Sequence, residues 1–222
     1  MTATAIPRPA DERSRVLERD PEATRANILA IATEEFAEKG FSGARVDDIA
    51  ARTDTSKRMI YYYFGDKEGL FVAVIEQAYA GIRQIEANLK LDHLGPEQAL
   101  RTLVGFTFDY QNAHEGFIRL VMVENIHRGV HLARSGNIAE LNVPAIATLA
   151  DIYRRGRAAG LFRDGVDEID LHMSISALCF FNVANRATFS RIFQRDMASP
   201  QALARRREIV IDTILRYVKQ TP

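Results

Sequence analysis

The stretch Gly40-Phe-Ser-Gly-Ala-Arg-Val-Asp-Asp-Ile-Ala-Ala-Arg-Thr-Asp-Thr-Ser-Lys-Arg-Met-Ile-Tyr-Tyr-Tyr-Phe-Gly-Asp-Lys-Glu-Gly-Leu70 decides how this chain is read. It divides into a short helix, a polar break and a still shorter helix. Val46, Ile49 and Ala50 recur as the inner face of a helix that ends near Thr53. After Thr53-Asp54-Thr55, Ser56 offers its hydroxyl as the N-cap of a helix running from Lys57 to about Tyr63. That helix is too short and too polar to be buried for its own sake, although Ile60 and Phe64 are spaced to anchor it inward. Its N-terminal end presents Ser56, Lys57 and Arg58, and Tyr61, Tyr62 and Tyr63 follow. A helix entering a major groove about 12 Å wide meets base edges with side chains of its N-terminal end. Tyrosine hydroxyls suit phosphates, and their rings suit thymine methyls. Lys67 opens the next helix, where a cation and free backbone N–H groups can hold a phosphate together.

The stretch resembles the tetracycline-repressor (TetR) family of bacterial regulators. That pattern runs from a glycine-aromatic pair through Val-x-x-Ile-Ala to Ser-x-x-x-hydrophobic-Tyr-Tyr-x-Phe-x-x-Lys-x-x-Leu. It is met here by Gly40-Phe41, Val46, Ile49-Ala50, Ser56, Ile60-Tyr61-Tyr62, Phe64, Lys67 and Leu70, with Ile28, Leu29 and Phe36 matching in the preceding helix. The likeness is close over residues 22–75 and extends beyond them only as a helical domain of fitting length. It implies that Lys57, Arg58 and Tyr61 read bases and that Arg45, Tyr62, Tyr63 and Lys67 contact phosphates. The departures are local. Thr53-Asp54-Thr55 stands where Ala-Gly-hydrophobic is usual, so Asp54 must accept the turn that glycine normally makes, and Thr55 replaces a packing residue. Tyr63 replaces a frequent His, and Arg45 replaces the Thr or Ser that often starts the second helix.

Outward from this motif the periodicity stays helical. Asp20, Pro21 and Glu22 form a helix start, Ile28, Leu29, Ala32 and Phe36 its inner face, and Gly40 its stop. Asp66 caps a long helix to about Leu89, and further helices are expected over 96–113, 115–133, 137–159, 167–195 and 200–219, with a kink or a start at Pro144. No strand pattern and no internal repeat interrupts them. The fold class expected is all-α with about nine helices. Residues 1–19 read as a loose arm, 20–66 as a helix-turn-helix domain, and 67–222 as a ligand-binding and dimerisation domain.

Composition limits the alternatives. Hydrophobic residues make up 47% of 222, enough for a packed core. Formal charge is zero overall, and the first 75 residues carry eleven basic and thirteen acidic groups, a net of −2. Affinity for nucleic acid must therefore come from where the charges sit, not from their sum. Cys179 is the single cysteine, lies in an apolar run and is expected to be a small buried filler. The N-terminus lacks the apolar core of a secretion signal, and no run approaches the roughly 18 apolar residues of a membrane span. A cytoplasmic protein without membrane contact is expected.

The resemblance further implies a ligand pocket in the second domain and a homodimer built by the last two helices. A twofold dimer sets its recognition helices about 34–36 Å apart, one turn of duplex, so a near-palindromic operator is expected. Polar residues stranded among apolar ones nominate Glu124, Asn182 and Asn185 for the pocket, with Asn125 beside Glu124, and Phe106, Tyr110 and Phe117 as aromatic walls. The effector is an unidentified small molecule, and no cofactor or resident metal is called for. Release of the operator by that effector is the expected mode of action, with an activator or an effector-independent regulator as the alternative. One competing pattern is Glu124, His127 and His131, spaced i, i+3 and i+7 on one expected helix face with metal-ligand chemistry. A metal-dependent enzyme on those three is a remote alternative. No nucleophile elbow, phosphate loop or His-Glu-x-x-His motif accompanies them, so no enzyme is expected.

Overall fold

Side-chain caps set where several of the helices begin. The computed structural model describes residues 20–53 and 55–220. The arm expected at 1–19 and the turn conformation expected of Asp54 lie outside them. Ten α-helices follow one another among the described residues: α1 (Pro21–Gly43), α2 (Val46–Thr53), α3 (Lys57–Phe64), α4 (Lys67–Ala87), α5 (Pro96–Ala113), α6 (Glu115–Ile126), α7 (Ile138–Ala158), α8 (Glu168–Ala184), α9 (Arg186–Ile192) and α10 (Pro200–Val218). The Asp20 carboxylate accepts from the Glu22 N–H at 3.0 Å, the Ser56 hydroxyl from Met59 at 3.3 Å, and the Asp66 carboxylate from Gly69 at 2.6 Å. Each satisfies an N–H that the first turn leaves without a partner. Gly40 interrupts α1 with φ 70° and ψ 175°, a conformation open essentially to glycine alone.

Two apolar cores result; α4 belongs to the first and beyond it packs against α7 of the second. Ile28, Phe36, Ile49, Ile60, Leu70 and Phe71 anchor the first, which joins α1 to α4. The second gathers α5, α7, α8 and α10 around Leu100, Phe108, Leu149, Leu171, Ile175 and Ile214. Leu120 of α6 belongs to the first core, so α6 lies against α1 and closes the smaller domain from outside. Cys179 is fully buried in the second core, where burial pushes its thiol up to about 12. No helix among the described residues is long and apolar enough to cross a membrane.

Two of the expected helices are shorter than their periodicity suggests. The segment read as 115–133 stops at Ile126, because Arg128 (φ 60°) and Gly129 (φ 75°) turn the chain back. The segment read as 167–195 breaks at Asn185 into α8 and α9, which gives ten helices rather than nine. Pro144 lies inside α7 and neither starts nor ends it.

Gly156 in α7 shows how closely the second core is packed. A Cβ there would fall 1.9 Å from the Phe162 ring, which is itself 2% exposed and stacks against Tyr153. Gly156→Ala is expected to displace Phe162 and cost about 1–3 kcal/mol of stability. Thermal melting checks this, and an unchanged midpoint would contradict the packing.

Candidate nucleic-acid interface and internal cavity

α3 is held by one side and read from the other. Ile60 is completely buried against α1, α2 and α4, while Phe64 is half-buried beneath the Arg25 guanidinium at 5.3 Å. Burying a residue the size of Ile60 stabilises by about 1.5–3 kcal/mol, enough to fix the roll of an eight-residue helix. The turn before it is held by threonine hydroxyls: Thr53 Oγ1 donates to the Ile49 carbonyl at 2.9 Å, and Thr55 Oγ1 to the Thr53 carbonyl at 3.2 Å. With that roll fixed, Lys57, Arg58, Tyr61 and Tyr62 all face solvent, Tyr62 most of all at 78% exposed. Tyr63 is half-buried and meets Tyr62 edge-on at 5.4 Å.

The cations on this face differ in how free they are. Arg58 makes no ion pair among the described residues. Lys57 is held 3.0 Å from Asp47 at the start of α2, and that hydrogen bond raises its pKa. Arg45 is exposed at the head of α2, and its charge opposes that rise slightly. Lys67 is half-buried with its ammonium 4.9 Å over the Phe41 ring, and burial lowers its pKa. To meet a phosphate it must swing off that ring.

The larger domain holds a cavity of about 150 Å³ between α4, α5, α6 and α8, with Asn142 of α7 at its edge. Tyr79, Ile82, Phe117, Val121, Ile175 and Phe180 make its walls apolar and aromatic, and Arg83, Glu86, Gln111 and His172 bring polarity to them. Of the residues singled out in sequence, Phe117 lines this space. Tyr110 lies beside it, 6.3 Å from Phe117, and stacks on His114, and Phe106 packs against Tyr110 at 5.8 Å. Asn182 and Asn185 border a separate groove near Phe181, Arg186 and Met197, and Asn182 donates to Asn112 at 3.0 Å. Asn125 faces solvent. The polar members of the cavity went unnoticed in sequence, yet Glu86 continues the inner stripe Ile75, Tyr79, Ile82 of α4 by another turn. A charge on an apolar stripe was the available signal.

Glu124 has a different task. It is 3% exposed, and its carboxylate accepts from the backbone N–H of His131 at 3.0 Å and of Leu132 at 2.9 Å, and meets His131 Nδ1 at 2.7 Å. The metal reading assumed a helix continuing through His131. The helix ends five residues earlier, and the reversal at Arg128 and Gly129 makes His131 a partner of Glu124 instead. His127 packs edge-on against His131 with ring centroids 5.2 Å apart, and its Nδ1 is taken up by the Val123 carbonyl at 2.8 Å. Among the described residues no three His, Cys, Asp or Glu side chains gather to hold a metal ion.

A short helix seated by one aliphatic side chain, with a cationic and aromatic face turned outward, is the recognition element of a helix-turn-helix DNA-binding regulator. The larger helical body beside it encloses a chamber. Residues 28–74 match the family of bacterial regulatory proteins of the tetR type, and residues 96–214 match the tetracyclin repressor-like C-terminal domain. The chain belongs to the TetR family. It is 41% identical over 197 residues to the HTH-type transcriptional repressor NicS of Pseudomonas putida, covering 89% of this chain and 93% of that one. It is 32% identical over 161 residues to the HTH-type transcriptional repressor SCO4008 of Streptomyces coelicolor, covering 72% and 78%. A tetR-family regulatory protein of solved structure from Rhodococcus superposes with a TM-score of 0.69 at 21% identity, over 90% of this chain and 98% of that one, which shows the shared fold.

Removing the Glu124 carboxylate would leave two backbone N–H groups and an imidazole without their buried partner. Glu124→Ala is expected to cost about 3 kcal/mol or more. A melting temperature within a degree of the parent would show that the carboxylate does not hold this loop.

Proposed function

We propose that the chain is a repressor that binds a near-palindromic operator as a homodimer and is released by a small molecule seated in the cavity. The observation that carries the reading is the outward face of α3, fixed in roll by Ile60 and bearing Arg58, which makes no ion pair among the described residues. NicS and SCO4008, which match most of the chain, are both described as repressors. In this reading Lys57, Arg58 and Tyr61 meet base edges, and Arg45, Tyr62, Tyr63 and Lys67 meet phosphates, with Ser56 holding the helix start. Lys57 must exchange Asp47 for its DNA partner, so Asp47 acts as a brake on affinity.

The dimer rests on two unpartnered stripes. Ile169, Met173, Ala177 and Phe181 recur every fourth residue along α8 and are all exposed, the first two by more than 60%. On α10 the residues Val210, Ile214, Leu215 and Val218 are spent on the protein's own core, which leaves Ile209 and Tyr217 facing outward. Apolar side chains exposed over three turns of one helix are characteristic of an interface. Two copies packed about a twofold axis would cover them with a four-helix bundle. The cavity belongs to the same scheme, since a ligand that prefers one spacing of the two recognition helices shifts the population away from DNA.

The DNA contacts are tested on a duplex that the protein selects from a random pool. Arg58→Ala is expected to relax preference at one base pair by about 1–3 kcal/mol, whereas Tyr62→Phe weakens all duplexes alike and Asp47→Asn tightens all of them. Equal loss for Arg58→Ala on selected and scrambled DNA would rule out base reading. Met173→Glu places a charge in the proposed bundle and is expected to give monomers in sedimentation velocity with loss of operator binding. A variant that stays dimeric would move the interface elsewhere.

A further inference from the structure

Acids at the start of a helix suit its dipole, and phosphates seek the same place. The first turn of α4 sets Asp66 and Glu68 around Lys67, two carboxylates against one ammonium. It lies hard against the recognition helix: a Cβ at Gly69 would overlap the carbonyl oxygen of Phe64, the last residue of α3. A backbone phosphate arriving at Lys67 would therefore meet a turn of net negative charge. Arg134, in the loop after α6, answers that charge. Its Nη1 donates to Glu68 and its Nη2 to Asp66 at 3.1 Å, across 66 and 68 residues of chain. The Gly69 N–H and, after it, Arg134 hold the Asp66 carboxyl below its usual range. Arg134 is itself fixed from both sides. Glu124 accepts from the backbone N–H groups of His131 and Leu132, and the Ser135 hydroxyl donates to Glu76 of α4 at 2.6 Å. His131 packs on Phe41, the ring beneath the Lys67 ammonium. The loop thus lies along α4 from Asp66 to Glu76.

We propose that Arg134 is a positioning residue for DNA binding: it neutralises Asp66 and Glu68 so that the first turn of α4, with Lys67, can receive a backbone phosphate. This rests on the reading of Lys67 as a phosphate contact. All three side chains of the cluster are exposed, so as an ion pair it adds little to stability. Its consequence falls on a fourth charge, the incoming phosphate, which two bare carboxylates would repel at short range. Repulsion between exposed charges is screened by salt over about 10 Å at 0.1 M, so the benefit of Arg134 is greatest at low salt. Arg134 reaches no base in this scheme and acts alike on every duplex.

The test is fluorescence anisotropy of the full chain on a selected and a scrambled duplex, at about 50 and about 300 mM salt. Arg134→Gln keeps the stem and a hydrogen bond but loses the charge. It is expected to weaken both duplexes about tenfold at the lower salt and no more than about threefold at the higher, with little change in melting temperature. Adding Glu68→Gln should recover most of the loss, because the acid and its counter-charge then leave together. Arg134→Lys keeps the charge, loses the fork, and should bind close to the parent. Asp66 is left intact because it caps α4. A purely structural strut would give the opposite pattern: a loss that salt leaves unchanged, no rescue by Glu68→Gln, and failure of Arg134→Lys. Any of these would overturn the proposal, as would parent-like binding by Arg134→Gln at low salt or a loss confined to the selected duplex. Should Arg134→Gln fail to fold, Glu68→Gln alone leaves Arg134 in excess and should tighten both duplexes at low salt; unchanged or weaker binding would overturn the proposal. Lys67→Ala, measured beside these, separates the two readings. If it weakens both duplexes while Arg134→Gln does not, the role of Arg134 alone falls. If it binds as the parent does, no phosphate sits at this turn, and the role of Arg134 falls together with the reading beneath it.

Discussion

Phe41 at the tail of α1, Phe71 in α4 and His131 in the loop after α6 meet with ring centroids 4.3–5.2 Å apart, and this small cluster joins the DNA-reading head to the rest of the molecule. Three separate stretches of chain supply it, so it forms only when each is in place. Glu124 holds His131 in the cluster, and Leu120 from the same helix completes the head's own core. The surrounding ion pairs, Arg134 with Asp66 and Glu68 among them, are exposed and contribute little beside it. The head is therefore packed onto the larger domain through a shared interior, not suspended from a linker.

That joint gives the cavity its reach. α4 contributes Phe71 to the joint and Tyr79, Ile82, Arg83 and Glu86 to the cavity, and α6 contributes Leu120 and Glu124 to one and Phe117 and Val121 to the other. Close-packed interiors resist continuous deformation, so a shift of either helix at the cavity is carried to the head as a displacement of a rigid element. The pair Arg83–Glu86 stands at the cavity end of α4, about three to four turns from Phe71 of the ring cluster. The other end of the same helix packs against α3.

Charge is used here by position. The chain is neutral overall and the first 75 residues are slightly acidic, yet the acids largely face inward partners or pin cations: Glu35 holds Lys39, Glu34 pairs with Arg52, and Asp47 restrains Lys57. On that face Arg45 and Arg58 make no ion pair among the described residues, and Tyr61 and Tyr62 are exposed beside them. A face of this kind relies on short-range hydrogen bonding more than on a long-range field, which suits discrimination between sequences.

The sequence by itself determined the helical class, the positions of the caps at Asp20, Ser56 and Asp66, the burial of Ile60 and the identity of the recognition motif. These depend on local chemistry: a capping oxygen beside free N–H groups, a 3.6-residue period, and a glycine at a backbone angle that other residues avoid. Tertiary structure decided what depends on residues far apart in the chain. Glu124 and His131 share one face of an ideal helix, but the chain turns at Gly129 and they become a buried pair within a joint. Phe106 and Asn182 look as promising in sequence as Phe117, yet only Phe117 lines the cavity, because a pocket is the gap left between helices whose mutual packing no single period encodes. Arg83 and Gln111 were invisible for the same reason: each is ordinary on its own helix, and only the packing of α4 against α5 brings both to the lining of one space.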